Sequence, residues 1–227
     1  MQTEWLHQGI GSELIIFCNG WGMDGTPFQP LASSAYDVYM LYDYRELAPP
    51  EPLLPIIEGY KRVYLISWSM GVWVGQKLFA DMAGLFSRII AINGTLCPIN
   101  DKLGIPGKIF HETLSGFNET TRMKFYRRMC REKTNLKMFL TRQPQRSHLD
   151  QRAELACLES TVDCLSPDQS IYREIIVAEY DWVVPSENQR QFWFGKQVTE
   201  IAGFHFLFYL WQSWDHLLTF AESTVKR

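Results

Sequence analysis

The amino-acid sequence predicts an α/β domain in which helices cover both faces of a mostly parallel sheet. Several short, almost continuously apolar segments are typical of strands buried on both faces, and they alternate with segments of helical spacing. The chain has 227 residues, of which 46% are hydrophobic, and this length fits one large domain better than two small ones. In sheets of this kind ligands bind at the carboxyl ends of the strands, so the residues that follow each strand are the first candidates for function.

Six segments are predicted to be strands because each is short, largely apolar and rich in β-branched or aromatic residues. They are residues 13–20, 36–44, 62–69, 88–95, 174–181 and 197–205. Apolar residues from Met70 to about Ala83 recur at helical spacing and predict a helix directly after the third strand. The proline-rich residues 47–60 predict a loop that leads into a short helix, and the aromatic tail from Phe206 is predicted to be helical.

Residues 100–167 interrupt this alternation, because they contain no clear strand and look helical. We expect them to form a helical lid insertion above the sheet, so that residues 1–99 and 168–227 make up the core. The insertion carries an unusually basic stretch: residues 122–152 have a net charge of +8, whereas the whole chain has −3. Such asymmetry favours an acidic partner, although a charge-rich helix surface without a partner stays an open alternative.

The overall composition limits the classes of function. A net charge of −3 argues against a protein that binds nucleic acid over much of its surface. The five cysteines show neither a C-x-x-C pair nor a metal-ligand spacing with histidine, so we expect reduced thiols in a cytoplasmic protein. We expect no signal peptide, because the first residues have neither a basic stretch nor a long apolar run, and no segment approaches the roughly 20 continuous apolar residues of a membrane span.

The segment Ser67-Trp68-Ser69-Met70-Gly71, which joins the third predicted strand to the helix, fits the pattern of a nucleophile elbow. In a G-x-S-x-G elbow a sharp turn lifts a serine hydroxyl to the N-terminus of a helix, where backbone N–H groups favour developing negative charge. The strained turn needs small residues two positions to either side, and Ser67 replaces the usual first glycine. Ser69 is therefore the candidate nucleophile, with a plain serine-containing turn as the alternative.

A serine hydroxyl needs a base to take its proton, and the base needs an acid to orient it. In this type of site the chain order is Ser, then Asp or Glu, then His. Asp181 ends the fifth predicted strand and His205 ends the sixth, on the side of the sheet where Ser69 would lie. A strand-end Asp is often a helix cap and a lone His is often packed in a core. Three such residues in the correct order nevertheless favour a catalytic triad.

An oxyanion hole needs two backbone N–H groups. One is expected from Met70, the residue after the nucleophile, and the other from the loop NGWGMDG that follows the first predicted strand. Gly20 and Gly22 allow the backbone of this loop to approach closely, so Trp21 is the candidate for the second N–H group. Its indole ring could also form a wall of the acyl pocket. The alternative is a plain Asn-Gly turn.

The segments FCNGWGMD, YDY, LISWSMGVWVG, AEYDWVVP and GFHF occur in this order along the chain. Together they resemble the BioG-type pimeloyl-[acyl-carrier protein] methyl ester esterases of the α/β-hydrolase superfamily, which act late in the synthesis of the pimeloyl chain of biotin. The resemblance covers most of the chain. The resemblance to this family in particular depends on the combination of N-G-W-G, S-W-S-M-G and compact length. The BioH-type esterases share the G-W-G loop, but their elbow has glycine at its first position.

The resemblance implies an α/β-hydrolase fold with Ser69 as nucleophile, Asp181 as orienting acid and His205 as base, and with Trp21 and Met70 forming the oxyanion hole. The implied activity is that of a serine carboxylesterase that hydrolyses pimeloyl-[acyl-carrier protein] methyl ester without a metal or cofactor. The implied partner is the acyl carrier protein, which is strongly acidic, so the basic insertion would guide it by charge complementarity. The candidate docking residues are Arg122, Arg127, Arg128, Arg131, Arg142 and Arg146.

Two other functions stay open from the sequence. A general carboxylesterase or a thioesterase on the same scaffold would use the same triad, because both reactions pass through an acyl-enzyme. A hydrolase fold could also serve as a non-catalytic interaction module.

Overall fold

The computed structural model describes residues 1–49 and 51–225, with side chains described as far as residue 221. Within these residues seven strands form one sheet: β1 (Gln2–His7), β2 (Glu13–Cys18), β3 (Tyr36–Tyr42), β4 (Arg62–Trp68), β5 (Arg88–Ile92), β6 (Glu174–Ala178) and β7 (Val198–Ile201). Their order across the sheet is β1-β3-β2-β4-β5-β6-β7. All neighbouring strands run parallel except β1, which is antiparallel to β3. The predicted mostly parallel sheet is therefore confirmed.

Strand β1 is the element that the sequence does not predict. Its residues, QTEWLH, are exposed or half-buried, and the strand pairs only with β3, at the edge of the sheet. The register with β3 shifts between Trp5 and His7. A short edge strand with polar residues lacks the continuous apolar run that identifies the buried strands, so pairing with β3 defines it more than its own composition does.

Nine α-helices accompany the sheet in the described part of the chain. They are α1 (Leu53–Glu58), α2 (Met70–Phe79), α3 (Gly107–Ser115), α4 (Glu119–Cys130), α5 (Lys133–Thr141), α6 (His148–Thr161), α7 (Ser186–Phe192), α8 (Phe208–Trp211) and α9 (Trp214–Val225). The regular part of α2 is shorter than predicted, because the chain continues as a 3₁₀ helix over Ala80–Leu85. None of the helices described is long and apolar enough to cross a membrane.

Both faces of the sheet are buried, as strand β2 illustrates. Ile15 and Phe17 belong to one apolar cluster, whereas Leu14 and Ile16 belong to a second cluster on the opposite face. All four side chains are fully buried, because successive residues of a strand point to opposite sides and helices cover each side. This explains why β2 has a continuous apolar sequence.

Helices α3 to α6 all lie between β5 and β6, within residues 100–167. Helix α4 begins at a capping box, in which the Asn118 side chain accepts hydrogen bonds from the backbone N–H groups of Thr120 and Thr121. Phe110 of α3 and Leu155 of α6 belong to the same buried cluster as Trp68 at the end of β4. The four helices therefore pack beside the point where β4 meets α2.

A disulfide bond joins Cys97 to Cys164 across 67 residues of sequence. The expectation that all five cysteines are reduced is therefore wrong for this pair. The reason is that the two residues flank the helices between β5 and β6, and only the folded chain brings them together. Cys18, Cys130 and Cys157 are free thiols.

Candidate active site

Ser69 occupies the sharp turn between the last residue of β4 and the first residue of α2, with φ +58° and ψ −124°. A non-glycine residue with positive φ costs on the order of 1–3 kcal/mol, and such strain persists only when the surroundings fix it. Here the Ser69 backbone N–H donates to the Ile92 carbonyl at 2.9 Å. A Cβ atom on Gly71 would collide with the carbonyl oxygens of Cys18 and Asn19, so only glycine lets α2 start this close to the end of β2.

Ser67, at the first position of the elbow, is fully buried. A Cβ atom placed on Gly75 would lie 2.5 Å from Ser67 Oγ, which puts this hydroxyl against α2. The substitution of the usual first glycine is therefore accommodated by a second glycine one helical turn after the elbow. Ser67 lies within β4 and packs against α2, whereas Ser69 lies beyond the end of the strand, in the turn, where its hydroxyl meets His205.

The structure brings Ser69, His205 and Asp181 together. His205 Nε2 lies 2.9 Å from Ser69 Oγ, and His205 Nδ1 lies 2.7 Å from Asp181 Oδ2. The three residues are 6%, 1% and 5% exposed. With its Nδ1 proton donated to Asp181, the imidazole can accept the Ser69 proton at Nε2, which is the arrangement that activates a serine nucleophile.

The Asp181 carboxylate is held by three donors. Oδ1 accepts hydrogen bonds from the backbone N–H groups of Val183 and Val184 at 2.8 and 3.1 Å. Oδ2 accepts one from the Gln189 side chain at 2.9 Å, in addition to the bond with His205. These donors fix the carboxylate and leave one oxygen directed at the imidazole. Gln189 was not identified from the sequence, because α7 brings it to Asp181 only after the chain turns at Pro185.

Asn93, immediately after β5, fixes the backbone of the candidate base. Its side-chain amide donates to the His205 carbonyl at 2.9 Å and its oxygen accepts the Ala178 backbone N–H at 2.7 Å. Trp68 Nε1 also donates to the His205 carbonyl, at 3.0 Å. The sequence places Asn93 in an Asn-Gly turn, a signal that gives no indication of this positioning role.

The loop of residues 19–24 follows β2 and approaches Ser69. Within the described part of the chain the Trp21 backbone N–H makes no hydrogen bond. Met70 is the first residue of α2, and its N–H has no intrahelical acceptor. The two N–H groups proposed for the oxyanion hole are thus available to a ligand oxygen. The Trp21 ring packs against Phe117 and Phe125, each with ring centroids 5.0 Å away.

Helix α6, one of the four helices between β5 and β6, holds this loop in place. Trp21 Nε1 donates to the Gln151 carbonyl at 2.7 Å, and the Gln151 side-chain amide donates to the Gly22 carbonyl at 2.6 Å. The Gly22 backbone N–H donates to Glu154 Oε2 at 3.1 Å. Glu154 is fully buried and pairs with Arg146 at 2.5 Å. Two polar side chains of α6 therefore determine the path of the loop that carries Trp21.

An apolar cavity adjoins the triad. Its walls include Trp68, Phe110, Phe125 and Leu155, together with Ser69 and His205. A second cavity of about 270 Å³ lies next to it, between α3 and α4. Such surroundings suit an aliphatic acyl chain, because they offer apolar contacts along its length.

The six arginines proposed for docking differ in their surroundings. Arg127, Arg131 and Arg142 are exposed, and the Arg131 guanidinium lies 3.8 Å from the centre of the Trp182 ring. Arg122 pairs with Glu119 and donates to the Arg146 carbonyl. Three of the six arginines proposed for docking are therefore exposed at the surface of the segment that carries α3 to α6.

Arg146 and Arg128 face inward. Arg146 has a side chain only 8% exposed, and it pairs with both Glu154 and Asp43. Arg128 lines the cavity beside Ser69. Arg146 is therefore held inside the molecule by its carboxylate partners, and Arg128 is half-buried at the cavity.

A strained serine at a strand–helix turn, with a His–Asp pair behind it on a mostly parallel sheet, defines the α/β-hydrolase class of protein. Solved structures support this fold. An enol-lactonase from Burkholderia xenovorans LB400 has a TM-score of 0.63 and 14% sequence identity, and the match covers 99% of this chain and 94% of that chain. At this identity the likeness concerns the fold alone.

Within that class, the chain belongs to the family described as pimeloyl-ACP methyl esterase BioG, which it matches over residues 1–217. The crystal structure of BioG from Haemophilus influenzae is similar, with a TM-score of 0.85 and 30% identity, covering 96% of this chain and 99% of that one. A relative from Bacteroides fragilis, described as malonyl-[acyl-carrier protein] O-methyltransferase, is 37% identical over 87% of this chain. The matched region is 40% of that relative, so this chain spans about two fifths of its length.

Proposed function

We propose that this protein hydrolyses the methyl ester of pimeloyl-[acyl-carrier protein] to the free carboxylate and methanol. The observation that carries the proposal is the hydrogen-bonded chain of Ser69, His205 and Asp181, with distances of 2.9 and 2.7 Å, in a member of this esterase family. The name of the Bacteroides fragilis relative describes methyl transfer to a carrier-bound acid, a different reaction whose product is a methyl ester of the kind that the proposed hydrolysis cleaves.

In the proposed mechanism Ser69 Oγ attacks the ester carbonyl carbon while its proton moves to His205 Nε2. Asp181 stabilises the imidazolium that forms and does not itself take the proton. The oxyanion accepts hydrogen bonds from the backbone N–H groups of Trp21 and Met70, and each such donor is worth roughly 10² to 10³ in rate.

The tetrahedral intermediate then breaks its bond to methoxide, which receives the proton from His205 and leaves as methanol. A water molecule attacks the remaining acyl-enzyme, and His205 takes a proton from it. Collapse of the second intermediate returns that proton to Ser69 and releases the acid. The apolar walls of the cavity exclude other water and strengthen these electrostatic interactions.

The substrate partner in this proposal is the acyl carrier protein, and the proposed compartment is the cytoplasm, where a structural disulfide such as Cys97–Cys164 is unusual. An acidic carrier would be attracted by the basic outer surface of α4 and α5, where Arg127, Arg131 and Arg142 are exposed. Exposed charges at the edge of an interface change mainly the rate at which the two proteins associate, and dissolved salt screens them. Binding of the carrier-bound ester should therefore weaken at high ionic strength, whereas that of a small neutral ester should not.

Two alternatives share part of this evidence. A general esterase or a thioesterase would use the same three residues, and the exposed arginines favour the carrier-bound substrate over them. A non-catalytic interaction module would not need a triad at hydrogen-bonding distances, so the geometry favours an enzyme.

The proposal is tested by incubating the purified protein with pimeloyl-[acyl-carrier protein] methyl ester and following methyl loss by mass spectrometry. Ser69→Ala should reduce turnover by a factor on the order of 10³ to 10⁶, because the nucleophile is removed. Ser67→Ala is the matched control, because it removes a hydroxyl two residues away that packs against Gly75 of α2 and lies outside the hydrogen-bonded chain of Ser69, His205 and Asp181. It should retain turnover.

Two further arms separate the alternatives. The pair Arg127→Glu and Arg131→Glu should raise KM for the carrier-bound ester but not for a small ester, and Arg152→Glu on exposed α6 serves as its control. Hydrolysis of small esters without any action on the carrier-bound ester would favour a general esterase. Absence of both activities, with no labelling of Ser69 by a fluorophosphonate probe, would favour the interaction module.

A further inference from the structure

The catalytic cavity contains one permanently charged side chain among the described residues that line it, Arg128. Arg128 lies on α4, and its guanidinium carbon is 5.8 Å from the centre of the Phe125 ring. No ion pair or hydrogen bond to it is made from the described part of the chain, and its Nε atom is buried without a partner. Met129 and Val183 line the catalytic cavity with it, whereas Glu112 and Lys124 line the outer cavity.

Arg128 is half-buried, and its buried Nε–H is costly because it has lost water without gaining an acceptor. Burial lowers the pKa of Arg128, and the negative charge of Asp181 partly offsets this effect. Arg146, the other inward-facing arginine of the basic stretch, differs because its buried guanidinium has carboxylate partners in Glu154 and Asp43. The free N–H groups of the Arg128 guanidinium are therefore available to a hydrogen-bond acceptor on a ligand.

Arg128 also lies between two cavities. Together with Ile109, Thr113 and Phe125, it lines both the catalytic cavity and the outer cavity of about 270 Å³ between α3 and α4. An acyl chain that reaches Ser69 through this outer cavity passes Arg128 on its way. The guanidinium is therefore placed to contact the part of the substrate that lies behind the scissile ester.

The chemistry of that part follows from the proposed function, on which this inference rests. The substrate has a carbonyl at each end of five methylene groups: the methyl ester to be cleaved, and the thioester to the carrier arm. The methylene groups suit the apolar walls, and the second carbonyl oxygen is a hydrogen-bond acceptor without a partner of its own. We propose that Arg128 donates hydrogen bonds to this distal carbonyl and so selects esters that carry a second carbonyl group.

Two small esters test the assignment without the carrier protein. Dimethyl pimelate has the distal carbonyl, whereas methyl heptanoate has the same chain length and lacks it. The measured quantity is the ratio of kcat/KM for dimethyl pimelate to kcat/KM for methyl heptanoate. Arg128→Met, which keeps the apolar stem, should lower this ratio by about tenfold or more, since a charge-assisted hydrogen bond is lost for one ester alone.

Arg128→Lys should recover part of the ratio, because it restores a donor at the same position. Arg152→Met removes an exposed arginine from α6 in the same insertion, and it should leave the ratio at the wild-type value. An equal loss of activity on both esters in Arg128→Met would mean that the side chain only shapes the cavity, and would overturn the assignment. So would a loss confined to the carrier-bound ester, which would point to the phosphate of the carrier arm as the acceptor. Failure of the wild-type protein to hydrolyse any ester would instead reject the proposed function.

Discussion

The hydroxyl of Ser67 is tolerated at a position where an elbow usually has glycine because of a single residue of α2. A Cβ atom on Gly75 would lie 2.5 Å from both Ser67 Oγ and Tyr172 Oη. The Tyr172 hydroxyl is itself fixed, since it donates to the Val72 carbonyl at 2.7 Å. Ser67, Gly75 and Tyr172 therefore form a packed contact in which the missing side chain of Gly75 is the space that the serine needs.

Gly75→Ala should consequently lower the free energy of unfolding by about 1–3 kcal/mol, as overpacking of a filled core does. Ser67→Ala removes one of the two atoms that the new methyl group would meet. The double variant should therefore be less destabilised than the sum of the single variants, by at least about 0.5 kcal/mol. Urea unfolding of the four proteins measures this coupling. Strict additivity would contradict the contact.

At the level of single residues, the sequence identifies reactive side chains that lie at the end of a predicted strand. Ser69, Asp181 and His205 were predicted because each follows or ends an apolar segment, and the structure brings them together. Gln189 and Asn93 escaped prediction because an amide side chain has no chemistry of its own to indicate a site. Their positions depend on the paths of loops, which no periodicity encodes.

Helix α6 and the loop after β2 form the most consequential contact between elements. The Glu154 carboxylate accepts hydrogen bonds from the backbone N–H groups of Gly22 and Tyr44, each at 3.1 Å, and it pairs with Arg146. These contacts link residues more than 100 positions apart in the chain. The N–H group proposed to bind the oxyanion belongs to Trp21, directly before one of these donors, so the helix positions it.

Glu154→Gln should reduce kcat by tenfold or more while changing KM little, because a displaced Trp21 N–H weakens binding of the transition state more than that of the ester. The loss of the Glu154 charge should also destabilise the fold, by about 1–3 kcal/mol, since Arg146 keeps its ion pair with Asp43. Steady-state kinetics and thermal unfolding measure the two effects. Asp150→Asn, on the exposed side of α6, is the control.

A Glu154→Gln enzyme with normal kcat and lower stability would show that the contact supports the fold alone. The sequence could predict that residues 100–167 are helical, but not this contact. A buried Glu on a helix that otherwise looks amphipathic gives no sign of its partner. The edge strand β1 was missed for a similar reason, since its identity depends on β3.

Charge and cross-linking act on the whole molecule. The basic stretch at residues 122–152 has a net charge of +8, in a chain whose net charge is −3. The fold places the arginines of this stretch in two different environments. Arg127, Arg131 and Arg142 stay at the surface, whereas Arg128 and Arg146 turn inward, to the cavity and to Glu154. Composition predicts the sum of these charges, but only the positions of the helices determine which of them a partner can reach.

The Cys97–Cys164 disulfide connects the two ends of the segment that carries α3 to α6, one end after β5 and the other before β6. A cross-link over 67 residues restricts the unfolded chain, and in the chain-entropy description this raises the free energy of unfolding by about 4 kcal/mol. Replacing both cysteines by alanine should therefore lower the midpoint of urea unfolding markedly. Cys157→Ala, which removes a free thiol from α6, should change it little.

The presence of the disulfide is tested by counting the reactive thiols of the denatured protein before and after reduction. Before reduction three thiols should react, from Cys18, Cys130 and Cys157, and after reduction five should react. Peptide mapping without reduction should recover Cys97 and Cys164 in one linked fragment. Five reactive thiols in the untreated protein would contradict the bond, and the insertion would then be held to the core by its apolar contacts and by the α6 hydrogen bonds alone. A bond that forms without any change in the unfolding midpoint would instead show that the unfolded chain already keeps these two segments close together.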